Sequence, residues 1–125
     1  MSLCRRVLSV QSHVVSGYVG NKAAVFPLQL LGIEVDPVHT VQFSNHTGYP
    51  HRTGTVMDGD QLADVVDGMQ ANGLLSQHSH LLTGYIGSES FLQGIVQLLQ
   101  RLRAEGPSVR HGKHLKSSQH EWHSP

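Results

Sequence analysis

Apolar residues recur along this chain with two different periods. Residues 7–10 form a short, mostly apolar run stopped by the polar Gln11, Ser12 and His13, which predicts a buried strand whose carboxyl end lies at Ser12. A glycine-punctuated turn follows, Gly17-Tyr18-Val19-Gly20. From Asn21, a predicted N-cap, Ala24, Leu28 and Leu31 lie on one face of a helix that Gly32 ends and Pro27 should weaken or kink. A second strand is expected around Val35 and residues 38–41. Residues 43–54 are polar and read as a long connection, with a short strand possible over residues 53–57.

The second half is more plainly periodic. Beginning at an acidic cap near Asp60, Leu62, Val65, Val66 and Met69 define an apolar helical stripe, closed by Asn72-Gly73. Residues 80–83 read as a third short buried strand. Ser88 then caps a long helix striped by Leu92, Ile95, Val96, Leu99 and Leu102, with Arg101 and Arg103 near its negative end and Gly106-Pro107 as the stop. Strand and helix alternating three times predict an α/β fold, a mostly parallel sheet with crossover helices in the doubly wound style. Ligands of such sheets sit at the carboxyl ends of the strands. Those ends are the loops after Ser12, after Gln42 and after Thr83.

After Pro107 both periods stop. Val109, Leu115 and Trp122 are the sizeable apolar residues left, so residues 107–125 read as a disordered, His-rich tail and residues 1–106 as the folded part. Charge supports the division. The body carries six basic and eight acidic side chains; the tail adds Arg110, Lys113 and Lys116 against Glu121, and four of the ten histidines.

Composition narrows the function classes. At 125 residues the chain has room for about one domain. Lys+Arg equals Asp+Glu at nine each and charged residues are only 14%, so nucleic acid and anionic membrane are not expected partners. One cysteine, Cys4, allows no internal disulfide, and neither a signal-peptide stretch nor a membrane-length apolar run is found, which predicts a cytoplasmic protein.

Candidate chemistry is sparse. The turn at residues 17–20 matches neither a dinucleotide fingerprint nor a P-loop, and a plain strand-to-helix turn is the better reading. His111 with His114 and His120 with His123 are three apart but lack a helical face or an orienting shell, so adventitious zinc or nickel affinity is all they predict; His78 and His80 read as surface residues. The Asn45-His46-Thr47 sequon is rejected without a secretory signal. Cys4 has no histidine partner for nucleophilic work, and Ser12 and His13 face opposite ways on a strand. What remains is Ser12, His46, Thr47 and Tyr85 beside Val19 and Phe43. This mixture of neutral hydrogen-bonding groups with aromatic and apolar ones suits a small, flat, polar organic ligand, although ordinary loop residues would look the same by periodicity alone.

Three motifs carry a resemblance. SVQSHVVSGYVGN (residues 9–21), VQFSNHTGY (41–49) and LTGY (82–85), in this order, closely resemble the pyridoxal kinase family of the ribokinase-like superfamily, over residues 4–106. The resemblance implies transfer of the ATP γ-phosphoryl group to the 5′-hydroxymethyl group of pyridoxal, pyridoxine or pyridoxamine, with Mg²⁺ and a monovalent cation. It implies that Ser12 and Thr47 hydrogen-bond the pyridine ring's polar groups, and that Val19, Phe43, His46 and Tyr85 shape the pocket.

The chain also departs from that family. Where its members pass from a proline like Pro107 into a strand and an Asp-Pro-Val-x-Gly-Asp segment, this sequence turns His-rich, and it has no Gly-Thr-Gly-Asp motif, whose Asp is the family's general base. No catalytic residue is therefore assigned, and no Asp or Glu here is nominated as a substitute. Because phosphoryl transfer rests on positioning and charge stabilisation, the chain by itself is expected to be inactive. The alternative expectation is a non-catalytic partner. Members of the family dimerise, and a shortened sheet would expose an unpaired strand edge that captures a full-length kinase or aggregates. An unstable chain is a third outcome.

Overall fold

The computed structural model describes residues 5–114 and 120–123. Cys4 and residues 115–119, and with them part of the His-rich tail, lie outside the described residues.

Six strands form one mixed sheet between helices on both faces. In chain order the elements are β1 (Arg6–Val14), α1 (Asn21–Leu30), β2 (Glu34–Phe43), β3 (Gly54–Val56), α2 (Gly59–Ala71), a 3-10 turn (Leu75–Gln77), β4 (His80–Thr83), α3 (Glu89–Glu105), β5 (Arg110–His114) and β6 (His120–His123). The strand order is β3-β2-β1-β4-β5-β6. β1 pairs in parallel with both β2 and β4, and β4 pairs in parallel with β5, while β3 and β6 run antiparallel to their neighbours. This is the expected α/β architecture, with β1 at the centre.

Alternation along β1 serves two cores. Leu8 and Val10 join Leu81, Leu62, Val66, Phe91, Ile95, Leu98 and Leu102 under α2 and α3, whereas Val7 packs with Ala24 and Leu82 under α1. Both faces of β1 are covered, which is why its sequence reads as a nearly continuous apolar run.

Local signals set most of the boundaries. Asp58 and Gln61 form a reciprocal capping box at the start of α2, and Gly73 takes a φ of 70° after its end. Ser88 accepts a hydrogen bond from the Phe91 amide at 3.1 Å to cap α3. Pro27 lies inside α1 without ending it.

Several expectations are corrected. The N-cap of α1 is Gly20, and Asn21 is the first helical residue, its side chain buried in a polar network instead of capping. On α3 the buried face is Phe91, Ile95, Leu98 and Leu102; Leu92 and Val96 are 46% and 48% exposed, so the striped face lies partly off the core. Either set satisfies a helical period, and only the packing partner distinguishes them. Val65 of α2 is likewise exposed. His78, expected at the surface, is buried, and its Nε2 lies 2.8 Å from Asp36 Oδ2.

The largest correction concerns the tail. The disordered reading of residues 107–125 fails over 107–114, where β5 completes a parallel pair with β4, the Arg110 amide donating to Ser79 O at 3.1 Å. Ladder bonds are made by the backbone and need no apolar period. One anchor suffices to set the register. Val109 is 2% exposed within the α2/α3 core, and Arg103 Nε donates to its carbonyl at 3.1 Å. β6 then pairs with β5, His111 opposite His123 and His114 opposite His120. β4 is thus paired on both sides, and β3 and β6 form the edges of the sheet.

Candidate functional site

Parallel strands in the order β2-β1-β4 bring three loops to one end of the sheet. These loops carry Val19, His46, Thr47 and Tyr85, while Ser12 and Phe43 lie in the last residues of β1 and β2.

Ser12 lies at an irregularity. The β1–β2 register runs Gln11↔His39 and resumes at His13↔Gln42, so β2 has one residue more than β1 across Ser12. Such bulges re-aim side chains near the ends of strands. The turn after β1 closes directly onto this point. Gly20 has φ 52°, and a Cβ there would overlap the Ser12 carbonyl and hydroxyl, so only glycine lets the two backbones approach this closely. Val19, half-buried, directly precedes Gly20 in that turn.

Asn21 anchors the turn from below. Its Oδ1 accepts from Ser9 Oγ at 2.6 Å, and its Nδ2 lies 2.9 Å from Val38 O, 3.3 Å from Gln11 O and 3.1 Å from His39 Nδ1. Gln11 Nε2 donates to Ser9 Oγ at 3.0 Å. Ser9, Gln11 and Asn21 are all buried, so β1, α1 and β2 are joined by polar contacts that have no water to replace them. His39 stacks on His13 with ring centres 4.2 Å apart, and burial, then the His13 charge, lowers its pKa below the usual imidazole value.

Phe43 ends β2 and opens the second loop. Val15 N donates to Phe43 O at 2.9 Å, and the Arg52 guanidinium lies 5.0 Å from the Phe43 ring centre. Ser44 and Asn45 close the loop on itself: Ser44 Oγ donates to Asn45 Oδ1 at 2.6 Å and accepts from Thr53 N at 3.1 Å, and Asn45 Nδ2 donates to the carbonyls of His46 and His51. His46 and Thr47 are presented, exposed, at the top of this closed loop. Gly48 N donates to His46 Nδ1 at 3.0 Å, and the His46 ring leans on Tyr49 at 4.7 Å.

The third loop leaves β4 at Gly84, whose amide donates to Val10 O at 3.2 Å; a Cβ there would come within 3.2 Å of the Gln11 side chain. Tyr85 follows, exposed. The turn that carries Val19 therefore closes onto Ser12, Phe43 opens the loop that carries His46 and Thr47, and Tyr85 stands on the β4 side of the same sheet end. Sequence reasoning missed Ser9, Gln11, Gly48 and the buried role of Asn21. A run of polar residues at alternate positions in an otherwise apolar strand, Ser9 and Gln11, was the available signal.

Most of the charged side chains with a defined partner are engaged within the fold. Asp36 binds Arg6 and His78 near the amino end of β2, Arg6 also pairing with Glu34; Asp58 caps α2; and Asp67 pairs with Arg101 at 2.9 Å. Among the described residues no group of three or more His, Cys, Asp and Glu is arranged to hold a metal ion. Lys22 Nζ, at the start of α1, donates to Val15 O at 2.6 Å.

No family model matches the chain. It is 60% identical to pyridoxal kinase of Arabidopsis thaliana over 104 residues, 83% of this chain and 33% of that protein, and 50% identical over the same length to pyridoxal kinase of Homo sapiens. Among solved structures it is similar to pyridoxal kinase from Trypanosoma brucei, with a TM-score of 0.83 and 39% identity, covering 88% of this chain and 41% of that one. It is also similar to pyridoxal kinase from Leishmania donovani in complex with ADP and pyridoxine, with a TM-score of 0.77 and 45% identity over 80% of this chain and 34% of that one. The chain spans about a third of the length of the curated relatives it matches. No helix of the described residues is long and apolar enough to cross a membrane. The matched residues are therefore similar, in sequence and in α/β fold, to about a third of the length of those pyridoxal kinases.

Proposed function

We propose that this chain supplies the vitamer-binding part of a pyridoxal kinase acting in cytoplasmic vitamin B6 salvage. The reaction is transfer of the ATP γ-phosphoryl group to the 5′-hydroxyl of pyridoxal, pyridoxine or pyridoxamine. The observation that carries this reading is the convergence of the Ser12, Phe43–Thr47 and Tyr85 loops at the carboxyl ends of three adjacent parallel strands. The similar Leishmania donovani pyridoxal kinase, in complex with ADP and pyridoxine or pyridoxamine, supports the ligand class.

The roles follow from the side-chain chemistry. Ser12 Oγ and Thr47 Oγ1 each donate and accept, which suits the ring nitrogen and the 3-oxygen of a pyridine vitamer. Phe43, Val19 and Tyr85 offer apolar and aromatic surface to its flat faces. His46 adds a further polar contact from the same loop as Thr47.

The described carboxylates Asp36, Asp58 and Asp67 are engaged in ion pairs or a helix cap, and none is nominated as the base for the 5′-hydroxyl. The 125-residue chain is accordingly expected to bind vitamers without phosphorylating them; ATP, Mg²⁺ and a monovalent cation belong to the whole enzyme activity. Titration calorimetry with pyridoxal tests the reading. Heat of binding that a Ser12→Ala plus Thr47→Ala double variant loses supports it, and no heat from a folded sample removes it. ATP-dependent pyridoxal 5′-phosphate formation by the chain alone would overturn the expectation of inactivity.

The association reading, as a homodimer or with a full-length kinase, has a narrower basis. β4 is paired with β5, so a partner adding a strand would have to meet β3 or β6. Co-purification with a full-length kinase at micromolar concentration is its test.

A further inference from the structure

The His46-Thr47-Gly48 segment fixes more than a position. Gly48 N is a main-chain amide and can only donate, so at 3.0 Å it requires a lone pair on His46 Nδ1. In a neutral imidazole the proton must then reside on Nε2. The contact also has a steric condition. A Cβ at residue 48 would lie 2.7 Å from His46 Cε1 and 2.9 Å from Nδ1, so any side chain there displaces the ring.

The rest of the loop removes slack. Asn45 Nδ2 donates to the His46 carbonyl at 3.1 Å, and the ring rests against Tyr49 with a 50° interplanar angle. Among the hydrogen bonds of the described residues none uses His46 Nε2. The loop consumes the acceptor of this histidine and leaves its donor on the exposed side.

We infer that Gly48 is a positioning residue that holds His46 as the Nε2–H tautomer, so that this imidazole meets the ligand as a hydrogen-bond donor to an oxygen and not as a base. The inference rests on the vitamer-binding reading for the identity of the ligand, whose 3-oxygen, and in pyridoxal also its aldehyde oxygen, are acceptors of the required kind. It needs nothing from that reading for the tautomer itself.

Two measurements separate these parts. The first is a long-range ¹H–¹⁵N correlation spectrum of the full chain labelled in histidine, at about pH 8.5, where ordinary imidazoles of pKa about 6.5 are neutral. His46 is identified by the resonances lost in His46→Gln. The expected spectrum has His46 protonated at Nε2 alone in the wild type and a mixture of tautomers in Gly48→Ala. The second is pyridoxal affinity by calorimetry. Gly48→Ala and His46→Ala should each weaken binding about tenfold, the size of one lost hydrogen bond, and the double variant no further. His46→Gln should recover part of the loss, because its carboxamide nitrogen reaches about as far as Nε2 and donates.

An Nδ1–H tautomer in the wild type, wild-type affinity in Gly48→Ala, or additive losses in the double variant would each overturn the inference. If the wild type binds no pyridoxal, the vitamer reading and the ligand half of the inference fall together, and the positioning role of Gly48 is decided by the spectrum. Should Gly48→Ala not fold, the wild-type spectrum and the contrast between His46→Gln and His46→Ala decide it.

Discussion

Ser9 Oγ donates a 2.6 Å hydrogen bond to Asn21 Oδ1, and both side chains are almost wholly shielded from solvent. This contact ties the centre of β1 to the first residue of α1, directly beneath the turn that closes over Ser12. Removing the hydroxyl takes away the donor to the buried Asn21 Oδ1 and the acceptor of the Gln11 Nε2 bond. Ser9→Ala is expected to cost about 1–3 kcal/mol, the desolvation penalty of unsatisfied buried groups. Urea denaturation followed by circular dichroism measures it, and a midpoint unchanged from wild type would mean that the network contributes nothing.

Gly20 makes a close backbone approach at the site. Gly20→Ala places a methyl group on the Ser12 carbonyl and forces a φ of 52° that a side chain resists. The expected loss is about 1–3 kcal/mol of stability, accompanied by weaker pyridoxal binding because Ser12 moves. Gly73→Ala, with φ 70° but open space around it, should be destabilised to a similar or smaller degree and bind normally. Equal binding losses in the two variants would disconnect the turn from the site.

Stability should fall on acidification through the ordinary histidine range. Burial, then the neighbouring His13, depresses the pKa of His39; burial, then Arg5 and Arg110, depresses that of His80. As pH drops below about 6.5 the unfolded chain takes up these protons while the folded chain does not, so the stability present above that pH is progressively lost until the depressed folded values are reached. The His39→Gln variant should show a shallower decline than wild type between about pH 7 and pH 5. Parallel curves would show that His39 is not a source of the dependence.

Val109 tests whether the polar segment after α3 belongs to the fold. Val109→Ala is expected to cost about 2 kcal/mol, as for other truncations of fully buried aliphatic side chains. The Arg110 amide, bonded to Ser79 O, should exchange with solvent far more slowly than an unstructured amide. Fast exchange across residues 110–113 would return this segment to the disordered reading.

The strands and helices were legible wherever a local rule acts alone. Ser88 and the Gly73 and Gly32 stops work within a few residues, so the sequence announces them, whereas the acidic cap expected near Asp60 is Asp58. The site loops were legible for a related reason: strand ends carry polar, glycine-bearing segments, and a parallel sheet collects them at one edge. Which loop residues act was not legible in the same way. For those residues the resemblance of the three motifs supplies an expectation.

What the sequence by itself determined is therefore the alternation of strand and helix, the α/β class, and the edge of the sheet at which a ligand would bind. Only the tertiary structure decided the rest. α3 buries Phe91 and Leu98 and leaves Leu92 and Val96 exposed because the neighbouring α2 and the sheet choose between two equally periodic faces. Asn21 abandons its capping role because Ser9 and the Val38 carbonyl, 12 and 17 residues away, offer a dry partner set. Arg110–His114 becomes a strand because β4 presents an unpaired backbone and Val109 a single buried anchor. In each case the deciding atoms are distant in the chain, and a periodicity read along the chain cannot register a partner it does not contain.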